Sequence, residues 1–436
     1  MGHSVSAADA AQSAGLTRLA AIIGGSAGNL VEWYDWYAYS AAALYFAPMF
    51  FPKGNLTAQL LQSAAVFAVG FFVRPLGAWI MGRYADRAGR KAALTLSVAM
   101  MSAGSMVIAL TPGAARIGVA APLILLAARI LQGLSLGGEY GASATFMSEI
   151  AGRAHRGFWS SFNYVTIIGG QLVALAVLMI LQRLLPAGAM AAWGWRIPFL
   201  IGAALALVVF WLRRNLPETN SFVNAVAADA ERGSTRLLLT RYPRETLTIL
   251  GLTSGGSMLF YVYATYMQKF LTNSAGFSKD QATALSAATL LAFMAAQPVC
   301  GWLSDRIGRR TMLLIAFGGS TLLVWPVMTR IATAGSIVEA FFLILAALLF
   351  VSAYTSISAV VKAELFPANV RSLGVGLPYA VANATFGGTA EYVALWFKSV
   401  GAESGFYFYA AALSGISLLV AIGMTDTRAH DRILED

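Results

Sequence analysis

Long apolar stretches, parted by short polar or charged turns, make up nearly the whole of this 436-residue chain. They lie near residues 20–47, 60–82, 92–111, 119–148, 157–182, 197–213, 245–268, 282–303, 311–329, 337–361, 373–397 and 405–424. A bilayer core is crossed by about 20 apolar residues of α-helix. The pattern therefore predicts an all-α integral membrane protein with twelve transmembrane helices. Residues 1–19 are mostly small and polar, with no apolar run ahead of a cleavage site, and read as an N-terminal tail. Residues 216–243 are the longest polar stretch in the interior and read as a linker with a short surface helix. Residues 425–436 read as a second tail.

The polar turns repeat. Gly82-Arg83-Tyr84-Ala85-Asp86-Arg87-Ala88-Gly89-Arg90-Lys91 returns half a chain later as Gly301-Trp302-Leu303-Ser304-Asp305-Arg306-Ile307-Gly308-Arg309-Arg310. A second pair follows the fourth helix of each half: Glu149 precedes Arg156 by the same spacing that separates Glu364 from Arg371. A repeat at half-length in a membrane chain predicts two homologous six-helix bundles, residues 20–215 and 244–424. Glycine pairs within the spans, Gly169-Gly170 and Gly255-Gly256 among them, predict close helix packing.

Composition agrees with the pattern. The chain is 58% hydrophobic and 11% charged, against about 25% charged in soluble domains. Its net charge of +10 is a topology signal, not a sign of nucleic-acid binding. Of the 30 Lys and Arg residues, twenty fall on one side of the predicted helices, eight on the other, and Arg74 and Arg129 inside spans. Positive charge collects on the cytoplasmic side, which puts both termini there, in a bacterial inner membrane. The single cysteine, Cys300, allows no intrachain disulfide. No His, Cys and Asp residues have metal-ligand spacing, and no Ser/His/Asp set can be assembled. Neither a metal, a cofactor nor an enzymatic activity is expected, and the protein is expected to be a monomer.

The repeated motif has chemistry of its own. An Asp beside a helix end accepts from free backbone N–H groups and pairs with Arg. Asp86, Arg87 and Arg90 in one copy, and Asp305, Arg306 and Arg309 in the other, are candidates for a cytoplasmic latch. Glu149, Arg156, Glu364 and Arg371 join them. The plainer reading is that the arginines only anchor loops.

The doubled motif resembles the loop signature of the major facilitator superfamily. Three further strings resemble its metabolite:proton symporter branch: Gly28 to Tyr37, Arg74-Pro75-Leu76-Gly77, and Arg129 to Gly141. The resemblance covers nearly all of residues 20–424. It implies proton-driven uptake of an organic acid by alternating access, with α-ketoglutarate or another dicarboxylate as the expected substrate. Carriers of citrate, shikimate, aromatic acids or compatible solutes share much of the pattern, and a transporter-like sensor is the rival from another class. By the same resemblance, Gln171, Tyr354 and Asn383 are midspan polar residues of cavity-type helices and candidate substrate contacts.

The remaining candidates are charges inside spans, which normally face a partner or an aqueous cavity. A guanidinium matches a carboxylate in two parallel hydrogen bonds, so Arg74 and Arg129 can hold the two ends of a dicarboxylate. Alternatively they are permanent partners of Glu32 and Glu139. Glu32, Asp35, Glu139 and Glu391 are the candidate proton carriers. Two arginines against four acids would repel an anion, so some of these acids carry protons when the substrate binds. The aromatics of the first helix (Trp33, Tyr34, Trp36) and the seventh (Phe260, Tyr261, Tyr263) are expected mostly to pack or to face lipid.

Overall fold

The structure is a computed structural model that describes residues 7–88, 90–136, 144–145, 148, 152–186, 188–214, 235–367, 370–429 and 433. At 7–28, 82–83, 85–88, 90–94, 136 and 209–214 it describes the backbone alone. The helices join into twelve rods. The first half contains α1 (Ala7–Phe50), α2 (Leu56–Phe72 continued by Arg74–Ala88), α3 (Arg90–Leu110), α4 (Ala120–Leu136), α5 (Arg156–Leu184) and α6 (Ile197–Arg214). The second half contains α7 (Pro243–Phe260, Tyr261–Tyr266 and Met267–Asn273), α8 (Lys279–Ile307), α9 (Arg309–Ala332), α10 (Ile337–Thr355 and Ser358–Glu364), α11 (Arg371–Ala382, Asn383–Gly387 and Ala390–Ser399) and α12 (Glu403–Gly423). Among the described residues, seven helical stretches are long and apolar enough to cross a bilayer, and three shorter apolar helices accompany them. Large apolar side chains such as Leu322 and Leu419 lie exposed on the outside, as expected where hydrocarbon is the solvent.

One boundary differs from the sequence expectation. α1 begins at Ala7, so most of the expected N-terminal tail continues the first helix. In the linker, residues 215–234 lie outside the described residues, and Thr235–Arg241 forms the short helix.

The repeat in sequence is a repeat in packing. In the first half α3 packs on α6 and α4; in the second, α9 packs on α12 and α10. Across the halves α5 lies along α8, and α2 along α11. Two glycines explain how closely α5 and α8 approach. A Cβ on Gly157 of α5 would meet the Gly301 carbonyl oxygen at 2.6 Å, and one on Gly301 would meet that of Gly157 at 2.5 Å. Backbone meets backbone there, and a side chain at either position would force the helices apart.

Among the described rods, α2, α7 and α11 are interrupted near the other half. Pro75 has no N–H to donate one turn back, and α2 breaks at Val73, directly before Arg74. α7 and α11 each contain a π-helical turn, Tyr261–Tyr266 and Asn383–Gly387. Such turns shift side-chain direction within a helix and often mark functional positions.

Candidate functional site

The halves touch at both ends. At the end carrying the repeated motif, Asp305 accepts from the backbone N–H of Gly157 (2.8 Å) and Phe158 (2.9 Å), at the first turn of α5. Its other partner is the Arg309 guanidinium at 2.8 Å. Arg309 is fully buried and lies 3.6 Å from Glu364. Arg371 is buried beside them and donates to the Phe366 carbonyl. Arg156 is buried in the same α5 turn. Arg306 is not part of this cluster: it is exposed and stacks on Trp302 at 3.8 Å. In the other copy, Glu149 and the side chains of Asp86, Arg87 and Arg90 lie outside the described residues. The C-terminal segment, read from the sequence only as a tail, docks here. Asp426 receives the N–H groups of Arg309 and Arg310, and Thr427 donates to Glu364.

At the opposite end, Lys279 of α8 donates to the Leu44 carbonyl of α1 (2.7 Å), and Thr57 of α2 meets Asn273 of α7. Lys269 of α7 reaches Ser40 of α1 at 3.0 Å and Glu391 of α11 at 2.5 Å. Lys269 lies one residue past the expected span 245–268, where a loop charge is predicted, but it is only 1% exposed. Lys362, one residue past the expected span 337–361, is buried as well and donates to Ser358.

Between the two ends lie the intramembrane arginines. The Arg129 guanidinium is fully buried, 3.8 Å from the centroid of the Trp36 ring and 4.4 Å from that of Tyr39. The Arg74 guanidinium is 4.1 Å from the same Trp36 ring and 4.0 Å from Phe71. One indole thus serves two cations through its π face. Each guanidinium keeps Nε and Nη2 buried without a hydrogen-bond partner. A buried charged donor left unpaired costs several kcal/mol at most sites. These four atoms all belong to two arginines on one ring.

Arg129 is chained to Asp35. Its Nη1 donates to Gln132 Oε1 (2.9 Å), and Gln132 Nε2 donates to Asp35 Oδ2 (2.6 Å). Ser105 of α3 donates to the other Asp35 oxygen. The chain joins α1, α3 and α4, and it makes Arg129 sensitive to the proton state of Asp35. Glu32 is buried on the same helix and shares electrostatic influence over Tyr261 with Arg74. Glu139 lies outside the described residues, so the pairing of Glu139 with Arg129 does as well.

Aromatic rings close the second-half side. Trp33 of α1 meets Phe260 edge-on at 6.0 Å, and Phe71 of α2 meets Tyr261 edge-on at 5.4 Å. These rings do not face lipid: Trp33, Tyr34, Trp36, Phe260 and Tyr261 are all buried. Asn383 is buried with Oδ1 unpartnered, and Gly387 lies between it and the Tyr261 ring, 2.7 Å from each if given a Cβ. Gln171 is buried on α5 with both amide atoms unpartnered, next to Gly170, which packs on the α1 backbone at Leu30. Tyr354 sits apart. Its ring packs on Phe317 and Gly256, inside the second half.

The structure therefore brings Arg74, Arg129, Asp35, Glu32 and Asn383 to one interhelical centre, with Gln171 on the adjoining face of α5. Trp36, Gln132, Ser105, Tyr261 and Lys269 were missed by sequence reasoning. With Lys269 added, the charges inside the membrane are three cations (Arg74, Arg129, Lys269) against three acids (Glu32, Asp35, Glu391) among the described residues. Counting Glu139 from the sequence, Lys269 changes the expected two cations against four acids to three against four.

Comparison with known proteins supplies the family. The chain matches the family described as "Sugar (and other) transporter" over residues 20–240 and 224–431. It is 52% identical to the alpha-ketoglutarate permease of Escherichia coli (strain K12), over 93% of either chain. It is 34% identical to a citrate-proton symporter of Klebsiella pneumoniae, over 92% of this chain and 91% of that one. Its fold matches a solved structure of the proton:xylose symporter XylE with a TM-score of 0.73, at 17% identity, over 91% of this chain and 94% of the other.

Proposed function

Because the chain belongs to the sugar (and other) transporter family and has the twelve-helix major facilitator fold, we propose that it is a proton-coupled symporter that imports α-ketoglutarate, or a closely related dicarboxylate, by alternating access. It is a multi-pass membrane transporter and not an enzyme. The observation that carries the substrate assignment is the pair of buried guanidiniums on Trp36, each with two unpartnered nitrogens. Each offers the fork that a carboxylate fits, and a relative 52% identical to this chain is named for α-ketoglutarate.

Electrostatics supports coupling to protons. With Glu139 counted, three cations face four acids inside the membrane, so an entering dianion needs added positive charge. A potential negative inside opposes a bare dianion by about 4.6 kcal/mol per 100 mV. Two co-transported protons cancel that movement, and a third makes uptake potential-driven. Asp35, hydrogen-bonded through Gln132 to Arg129, and Glu391, paired with Lys269, are the described proton sites best placed to sense the anion. Glu32 is the third.

The asymmetry of Lys and Arg supports a cytoplasmic motif end and cytoplasmic termini, within a bacterial inner membrane. Each bundle, 20–215 and 244–424, moves as a unit about the central site, and the protein works as a monomer. The Asp305 cluster is the cytoplasmic latch of the second half.

The substrate assignment is tested with labelled α-ketoglutarate taken up by proteoliposomes against a panel of unlabelled competitors. Dicarboxylates of similar length should compete strongly; shikimate, betaine and monocarboxylates should not. Citrate is the second reading, because two relatives are citrate-proton symporters. Stronger competition by citrate than by unlabelled α-ketoglutarate would reassign the substrate.

A further inference from the structure

Resting on the symport reading above, we propose that Lys269 is a third cation of the anion site, held in reserve by Glu391 and released to the substrate when Glu391 takes up a proton. The observations are geometric. Lys269 is 1% exposed in the last part of α7, on the far side of its π-helical turn. Its ammonium contacts Glu391 of α11 at 2.5 Å and Ser40 of α1 at 3.0 Å; Ser40 also donates to Glu391. Ser40 directly follows Tyr39, whose ring lies against the Arg129 guanidinium. Adjacent residues of one helix therefore touch the arginine site and the lysine pair, which makes the two neighbours in space. Lys269 and Glu391 both belong to the second half, and Ser40 is their link to the first. Separation of the halves at this end breaks the link and leaves the ion pair facing the opening.

The exchange follows from charge balance. While Glu391 is ionised, it satisfies Lys269, and the ammonium has little to gain from another anion. When a proton binds the carboxylate, Glu391 becomes a neutral acid and Lys269 is left a buried, uncompensated cation, a costly state. A substrate carboxylate beside it removes that cost. Proton and substrate therefore favour each other's binding, as linkage requires of coupled ligands. On release to the other side the steps reverse: the carboxylate leaves, the proton leaves Glu391, and the ion pair re-forms. No covalent bond is made or broken apart from the O–H bond of Glu391.

Other titratable groups face the pair. Tyr37 and Tyr39 of α1 feel the charge of Glu391, and Arg129 of α4 acts on Lys269. Tyr266 on α7 lies under the influence of Glu391, Glu403 and Tyr407. The Tyr37 hydroxyl is buried without a partner beside this cluster. Tyrosine and arginine side chains ordinarily stay protonated across neutral pH, which leaves the Lys269–Glu391 pair as the place where this cluster exchanges a proton.

The test is the number of protons taken up per α-ketoglutarate bound by the purified full-length protein. It is read from the slope of log affinity against pH and from calorimetry in buffers of differing ionisation enthalpy. Glu391→Gln should take up about one proton fewer than the wild type. At high pH it should bind on the order of 10-fold more tightly, since its lysine is permanently released. Lys269→Gln should bind at least about 10-fold more weakly. The double variant Lys269→Gln/Glu391→Gln leaves no unpaired charge to disturb folding, and it should bind weakly with the same loss of one proton. A Glu391→Gln or double variant with the wild-type proton count, or a Lys269→Gln variant with wild-type affinity, overturns the inference while the symport reading stands. A wild type that binds no α-ketoglutarate overturns both.

Discussion

Replacing Arg129 by lysine is expected to weaken α-ketoglutarate binding by roughly 1.5–3 kcal/mol, about 10- to 150-fold, in a protein that still folds. The expectation comes from what the guanidinium does at one time. Its planar face lies 3.8 Å from the Trp36 centroid, its Nη1 holds Gln132, and its Nε and Nη2 remain for a ligand. A lysine ammonium can take one of these roles, not all three, because it is a point charge without a fork. Arg74→Lys should behave alike, since Arg74 shares the Trp36 ring and has the same two unpartnered nitrogens. A monocarboxylate of similar size should lose affinity in only one of the two variants. Binding measured on purified protein, with helicity as the check on folding, separates affinity from stability. Normal dicarboxylate binding by both variants would move the site to Gln171 and Asn383.

Asp305→Asn is expected to reduce turnover sharply while substrate binding changes much less. The two carboxylate oxygens now receive two backbone N–H groups of the opposite half and one guanidinium. An asparagine of the same shape must turn its NH2 toward at least one of these donors. Removing one partner of a buried pair typically costs about 3–5 kcal/mol, and here the loss falls on the state in which the motif ends are joined. Exchange and net transport in proteoliposomes, beside binding in detergent, provide the comparison. Wild-type transport by Asp305→Asn would reduce the motif to a topology signal.

The hydrophobic pattern and the doubled motif carried the fold because both are long-range signals. Twelve apolar stretches and two copies of one turn leave few alternatives. Arg74 and Arg129 stood out for the same reason, as charges inside otherwise apolar runs. What stayed hidden was short-range geometry. Lys269 lies one residue beyond the span read from hydropathy, and nothing in the pattern separates a lysine that reaches water from one that turns into the neighbouring half. Ser105 and Gln132 are uncharged, so they barely disturb an apolar window, yet they tie Asp35 to Arg129. The π-helical turns at Tyr261 and Asn383 rotate the side chains after them, and a fixed helical period cannot follow that rotation. Arg156, Arg309 and Arg371 were legible as positive-inside charges, but their burial depends on contacts with the other half and the C-terminal segment.

Proton-driven accumulation tests the central claim most directly. Proteoliposomes containing the purified protein should concentrate labelled α-ketoglutarate when the outside is made acidic, and a protonophore should collapse the gradient. Accumulation that survives the protonophore, or that requires sodium instead, would contradict the account.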